Sequence, residues 1–292
     1  MSGGLRFSVI VPVWNSPALI EKCLNALERQ TFPRERFEII VVDNGSTDET
    51  ADVVRRYPDV TLLSETKPGS YNARNTGLEI ASGEYVAFTD ADCVPDPGWL
   101  AAADAAIEAH PGAAVYGGRM VLFASDADSP VCRAYEEIFS FDQEKYIAAG
   151  HCVTANWVSP LSLIRELGGF DARLKSGGDF ALSTRISKRG LRMIYVPGME
   201  VGHPYRGSPS EIIGKRRRTI GGVWTMRDSL LGRVKLVVWV FRSMIGNLGR
   251  VWSSAGRSAD LKLAVSMLVM RGSAAQLAEI GRIMMGGEPR RS

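Results

Sequence analysis

ARNTGLEIASGEYVAFTDADCVPDPGWL, residues 73–100, decides the fold. Its centre, Tyr85–Thr89, is an unbroken apolar run of strand length, the pattern of a strand buried on both faces. Before it, Tyr71–Ala81 has helical spacing and meets a glycine stop at Gly83. After it, Trp99–Ala109 reads as an alanine-rich helix. Helix, buried strand and helix in succession are the unit from which parallel sheets are built. Directly behind the strand stand Asp90 and Asp92 in a D-A-D triplet. Two such carboxylates repel each other unless a cation or a shared proton lies between them. Read on spacing alone, the triplet is either a metal site or an ordinary loop.

The same alternation extends in both directions. Phe7–Val13, Phe37–Val42, Val60–Leu63, Ala113–Leu122 and Arg192–Val196 read as further strands. Ser16 and Pro17 supply an N-cap and a proline at the first position of a helix reaching Leu27. Asp48–Arg56, Cys132–Tyr146, Leu161–Leu167 and Phe180–Lys188 read as helices. Past residue 208 only helical patterns occur, over Pro209–Arg227, Arg233–Ser254, Ala259–Arg271 and Ala274–Met285. The fold class expected is α/β: a Rossmann-like, mostly parallel central sheet flanked by helices, with a C-terminal helical extension. Residues 1–205 form the expected catalytic domain, divided near residue 122, and 206–292 the extension.

Composition narrows the field. Of 292 residues, 45% are hydrophobic and 23% charged, which excludes a disordered or collagen-like chain. Cys23, Cys93, Cys132 and Cys152 are far apart, with no CxxC pair, which fits a reducing compartment better than a disulfide scaffold. The N-terminal apolar run is short and broken by Pro12, so it reads as a strand and not as a signal peptide. No G-x-G-x-x-G follows the first strand. Gly214-Lys215 is not a P-loop, because Arg216 stands where Ser or Thr is required. Charge is divided unevenly. Residues 206–292 carry 16 basic and five acidic side chains, while residues 1–205 carry 19 and 27.

In a parallel sheet, ligands gather at the carboxyl ends of the strands. Here those ends are Pro12-Val13-Trp14-Asn15, Asp43-Asn44-Gly45-Ser46-Thr47-Asp48 and Asp90-Ala91-Asp92. Asp43 reads either as a ligand or as a turn residue before Asn-Gly, and Asp48 as a helix cap or turn residue. Oxygen ligands of this kind suit Mg²⁺ or Mn²⁺, whose remaining positions are filled by water and substrate phosphates.

The segments SVIVPVWN (8–15), EIIVVDNGSTDET (38–50), residues 73–100 and GGDFALSTRISKRG (177–190), in that order, resemble family 2 glycosyltransferases of the GT-A fold. The resemblance covers about residues 7–205. It implies transfer of a sugar from a nucleotide-sugar donor with inversion, and a divalent metal, Mg²⁺ or Mn²⁺. It places Pro12 and Asn15 in the loop around the nucleoside, Asp43 on the nucleobase, Arg74 along the donor diphosphate and Asp90 near ribose or sugar. It places Asp92 on the metal, and His203, in VGHPYR, on the metal or the pyrophosphate. Asp179 falls on the position of the catalytic base, where its other reading is an N-cap. Gly178 and Ala181 stand where many members carry acids, which puts acceptor recognition in question. Trp157 reads either as a sugar-stacking ring or as core. RRRTIGGVW (216–224) lacks the Q-x-x-R-W arrangement of processive synthases, so single-sugar transfer is expected, in polysaccharide or glycolipid biosynthesis. Two other readings stand beside this one: a non-catalytic nucleotide-sugar binding or scaffold protein on the same fold, and a nucleotidyltransferase.

The basic extension has its own pattern. Lys215–Arg218 is a dense cationic run that could meet an anionic lipid or a diphosphate-linked acceptor, or be a solvated helix face. No nucleic-acid module accompanies it. Lys235, Arg242, Arg250 and Arg257 recur at seven or eight residues between apolar, tryptophan-bearing segments, as in a helix lying in a membrane interface. Packing on the catalytic domain is the alternative. No charge-free stretch of about 18 apolar residues occurs, so no spanning helix is expected. The expected location is cytoplasmic, peripheral at the membrane face, with a lipid-linked or saccharide acceptor.

Overall fold

The computed structural model describes residues 4–124, 129–139, 141–227 and 229–290. Among these, one eight-stranded sheet runs in the order β3-β2-β1-β4-β7-β6-β8-β5. The strands are β1 (Phe7–Val13), β2 (Phe37–Asp43), β3 (Val60–Ser64), β4 (Tyr85–Phe88), β5 (Val94–Pro95), β6 (Val115–Phe123), β7 (Trp157–Pro160) and β8 (Met193–Pro204). The N-terminal helices are α1 (Pro17–Glu28), α2 (Thr50–Val54), α3 (Ser70–Ile80) and α4 (Trp99–Ala109). They are followed by α5 (Pro130–Phe139), α6 (Gln143–Ala148), α7 (Leu161–Glu166) and α8 (Gly178–Lys188). Three long helices complete the chain: α9 (Pro209–Thr225), α10 (Leu230–Ser253) and α11 (Ala259–Met284).

The N-terminal half follows the expected pattern. All seven residues of β1 are buried, because helices cover both faces of a central parallel strand. β1 pairs in parallel with β2, from Phe7 opposite Phe37 to Val13 opposite Asp43. It pairs in parallel with β4 on its other side. This register brings the ends of β1 and β2 level, and the amide of Asn44 donates to the carbonyl of Val13 at 2.8 Å. Ser16 holds the N-cap position of α1, but its hydroxyl donates to the Trp14 carbonyl instead of capping the helix.

One strand is unexpected, and two helix expectations need correction. β7 runs antiparallel to both β4 and β6, so the sheet changes direction at its middle. Four residues ending in a proline give no periodicity from which that strand could be read. The helix expected over Cys132–Tyr146 is two helices, α5 and α6, and residue 140 between them lies outside the described residues. The two C-terminal helices expected on either side of residue 272 are one helix, α11. Gly272 is not a break there. A Cβ on it would lie 2.7 Å from Cδ of Arg216, so the glycine admits a side chain crossing from α9.

The chain divides into two compact units, and the division differs from the expected boundary at residue 205. One comprises Met1–Val121, Asp142–Arg173 and Gly178–His203, and the other Leu122–Phe141, Leu174–Gly177 and Pro204–Ser292. α5 belongs with the C-terminal helices because Cys132, Ala134 and Tyr135 share a core with Ile212, Val251, Val265, Leu268 and Val269. A second core joins Ile220 and Trp224 of α9, Leu236 and Val240 of α10 and Ile280 of α11.

Candidate active site

The loops behind β1, β2 and β3 are tied together by side chains. Asn15 adopts a left-handed φ of 45°, a conformation asparagine tolerates better than most residues. Its Oδ1 accepts the Thr47 amide at 2.8 Å, and its own amide donates to Ser46 Oγ at 2.9 Å. Asp43 is buried at the end of β2, and its carboxylate accepts the Ser46 amide at 3.2 Å. Asp48 accepts the amide of Thr50 at 3.0 Å, the turn role expected of it. Asn44, which sequence reasoning passed over, binds three partners. Its Nδ2 donates to the carbonyls of Glu65 and Lys67, and its Oδ1 accepts the Gly69 amide at 2.6 Å. Pro12 is not in this loop. It lies inside β1, buried, opposite Val42, whereas Asn15 stands exposed two residues past the strand end.

Behind β4 the charged residues converge. Asp90, Asp92 and Cys93 hold their polar atoms within 4.8 Å of one another. Arg74, buried on α3, forms an ion pair with Asp90. Its guanidinium carbon lies 5.7 Å from the ring centre of Tyr71 and 5.9 Å from that of Phe170, two stacked rings whose negative faces favour a cation. The Nε–H of Arg74 is buried and has no hydrogen-bond acceptor among the described residues. Nε2 of His203, on β8, stands 3.5 Å from Oδ2 of Asp92. The donor set, two carboxylates with an imidazole beside one of them, suits a divalent cation such as Mg²⁺ or Mn²⁺. Cys93 is a weaker candidate, since burial pushes its thiol well above the usual range and its Sγ lies 3.7 Å from Asp92 Oδ1.

Asp179 is the first acidic residue of α8. Burial raises its carboxyl above the ordinary aspartate value. The Phe180 amide, donating to Oδ1 at 2.9 Å, and the nearby Arg74 charge oppose that rise, and Asp90 adds to it. A carboxylate lifted in this way is a stronger base than a solvated one. The glycine beside it has a steric cause. A Cβ on Gly178 would lie 2.7 Å from Cζ and Cε2 of Tyr71. An acid at 178 would displace the ring that faces Arg74, and the sequence offered no sign of this constraint.

Trp157 must be reassigned. It is 0% exposed, and its Nε1 donates to Ser159 Oγ at 2.6 Å. No face of the ring is open to a sugar. Asn156 is equally internal: it accepts from Trp99 Nε1 and donates to the carbonyls of Arg119 and Met199. The exposed aromatic beside Asp179 is Phe180, 49% exposed, with the His151 ring 4.2 Å away.

The model of glycosyl transferase family 2 matches residues 8–168, over half of the chain. The chain belongs to that family. Glycosyltransferase AglE of Haloferax volcanii is 32% identical over 251 residues, 82% of each protein. A shorter match, 40% over 111 residues, is to the poly(ribitol-phosphate) β-N-acetylglucosaminyltransferase TarS of Staphylococcus aureus, and spans 36% of this chain and 19% of that one. The GT-A fold is shared with mannosyltransferase PcManGT of Pyrobaculum calidifontis, solved with GDP-Man and Mn²⁺, at a TM-score of 0.62 and 24% identity, covering 93% of this chain and 87% of that one. It is also shared with TarS residues 1–349 in complex with UDP-GlcNAc, at a TM-score of 0.57 and 18% identity, covering 98% and 93%. This chain is thus a family 2 glycosyltransferase of the GT-A fold.

Proposed function

We propose that this glycosyltransferase moves a single sugar from a nucleoside-diphosphate sugar to an acceptor hydroxyl, with inversion at the anomeric carbon. The observation that carries the reading is the convergence behind β4 of Asp92, His203 and the Asp90–Arg74 ion pair, with the buried Nε–H of Arg74 lacking an acceptor among the described residues. Asp43 and Asn15 would hold the nucleoside from the ends of β1 and β2. Arg74, with its unspent Nε–H, would receive diphosphate oxygen and offset its charge. Asp179 takes the acceptor proton as the acceptor oxygen bonds to C1, and the bond from C1 to the phosphate oxygen breaks on the opposite face. The nucleoside diphosphate leaves with the bonding pair. Asp92 and His203 would hold a Mg²⁺ or Mn²⁺, which when bound supplies positive charge against the leaving diphosphate. PcManGT with GDP-Man and Mn²⁺ and TarS with UDP-GlcNAc support this donor class and this metal.

On the acceptor side, Phe180 offers the open ring face that Trp157 lacks, and a lipid-linked or saccharide acceptor fits a ring beside the base. The non-catalytic reading loses part of its motive, because the glycine at 178 accommodates Tyr71, while nothing in the structure explains the alanine at 181. A panel of nucleotide sugars, tested by thermal shift with and without Mn²⁺, identifies the donor through ligand-linked stabilisation. Transfer to an acceptor extract is then measured with excess EDTA. Transfer undiminished by EDTA would remove the metal from the mechanism, and no stabilisation by any nucleotide sugar would remove the donor class.

A further inference from the structure

α10 buries only Leu236, Val240 and Val251 of its 24 residues. Along another face, Leu231, Val234, Val238, Phe241, Ile245 and Trp252 are all exposed, Leu231 by 63% and Ile245 by 67%. Their spacing of three and four residues places them in one stripe on the helix. From Leu231 to Trp252 the stripe is about 31 Å long at 1.5 Å per residue. Nothing among the described residues covers it.

The charges beside the stripe differ from those expected. Of the four basic residues expected to line one face, two are occupied within their own unit. Arg257 pairs with Glu137 at 2.8 Å, and Arg250 donates to the Ile138 carbonyl and lies over Phe139. Arg216, from the dense cationic run, donates to Tyr135, Ser273 and Gln276. Lys235 and Arg242 remain exposed, roughly 60–90° round the helix to one side of the stripe, with the exposed Trp239 further round on that side. α10 contains no Asp or Glu.

We infer that this face of α10 docks the protein on an anionic lipid bilayer, the helix lying flat with its stripe in the headgroup boundary and Lys235 and Arg242 on lipid phosphates. Charge decides the occupant. Two copies of α10 packed stripe to stripe would set cations against cations with no acidic partner in the helix, whereas an anionic surface complements them. α11 is long and apolar enough to cross a bilayer by length and composition, but 56% of its most apolar stretch is buried. The inference therefore rests on a surface helix and is independent of the donor chemistry.

The full chain is mixed with vesicles of phosphatidylcholine and phosphatidylglycerol at 1:1, and with vesicles of phosphatidylcholine alone, and recovered by flotation. Preferential binding to the anionic vesicles is expected. Phe241→Ser with Ile245→Ser should lower it at least tenfold, and Lys235→Gln with Arg242→Gln should abolish the preference between the two vesicle types. Far-UV circular dichroism and Tm of both pairs should match wild type, since all four side chains are exposed. Failure of the wild-type chain to float, or equal flotation of the Ser pair, overturns the inference. So does a dimer in light scattering that disappears with the Ser pair and leaves flotation unchanged, which assigns the stripe to a second copy.

Discussion

The two units use charge in opposite ways. At the strand ends of the first, charged groups are brought together and left partly unsatisfied: a buried guanidinium with a spare N–H, two carboxylates within reach of one another, and an aspartate held above its usual range. In the second, most cations are committed. Arg206 pairs with the buried Glu136 at 2.6 Å, Arg282 and Arg290 share Glu279, and Arg216 is hydrogen-bonded between helices. What that unit leaves unsatisfied is apolar surface. Unsatisfied polar groups gathered at strand ends point to a charged small ligand, and an unsatisfied apolar stripe points to an extended surface. The same count of charges in a sequence carries neither conclusion until the pairing is known.

The sharpest way to break this contrast is Asp179→Asn. Turnover should fall by roughly 10²–10⁴, the contribution of a positioned base. Tm at neutral pH should rise. The native state raises the carboxyl's pKa, so its contribution to stability is present below the unfolded value and lost as pH rises through the folded one. The same sign places the acid limb of the pH–rate profile above the ordinary aspartate value. A limb at or below that value, or a falling Tm, would contradict a strained, functional carboxylate.

Glu136→Gln tests the opposite unit. Arg206 would lose its buried counter-charge, at a cost of about 3 kcal/mol by chemical denaturation. Burial alone would raise Glu136, but Arg206 and Lys215 together hold it below the usual range. Its stabilisation is therefore present above the unfolded pKa and fades as pH falls through the folded one, so wild type and variant should converge in acid. Gly178→Ala is a smaller perturbation, costing about 1–3 kcal/mol through collision with Tyr71 and lowering donor affinity with it. The smallest change is expected for Lys235→Gln with Arg242→Gln, within about 0.5 kcal/mol of wild type, because exposed, unpaired cations contribute little to folding.

The N-terminal half was legible because its signals are local. Buried strands read as apolar runs, and Asp43, Asp90 and Asp92 stand directly behind them. β7 was not legible, since its direction follows from pairing with distant strands, and Trp157 was misread for a related reason. A tryptophan stacked on a sugar and one sealed between strands have the same one-letter context. Arg216 shows the limit for charge: within Lys215–Arg218 nothing distinguishes the cation that joins three helices from its neighbours. Tyr71 and Gly178 are 107 residues apart, so the ring that explains the glycine could be found only in the folded chain.

Asn44 has a consequence for how a donor would be received. Because its amide joins the segment behind β2 to Glu65, Lys67 and Gly69, and Asn15 joins that segment to the end of β1, three loops are fixed to one another by the protein's own hydrogen bonds. A rim assembled in advance loses little freedom when a nucleotide arrives, so little of the binding enthalpy is cancelled by ordering. If the donor binds at this edge as proposed, selectivity there would be that of a rigid template, against which a base or ribose of the wrong outline would not fit.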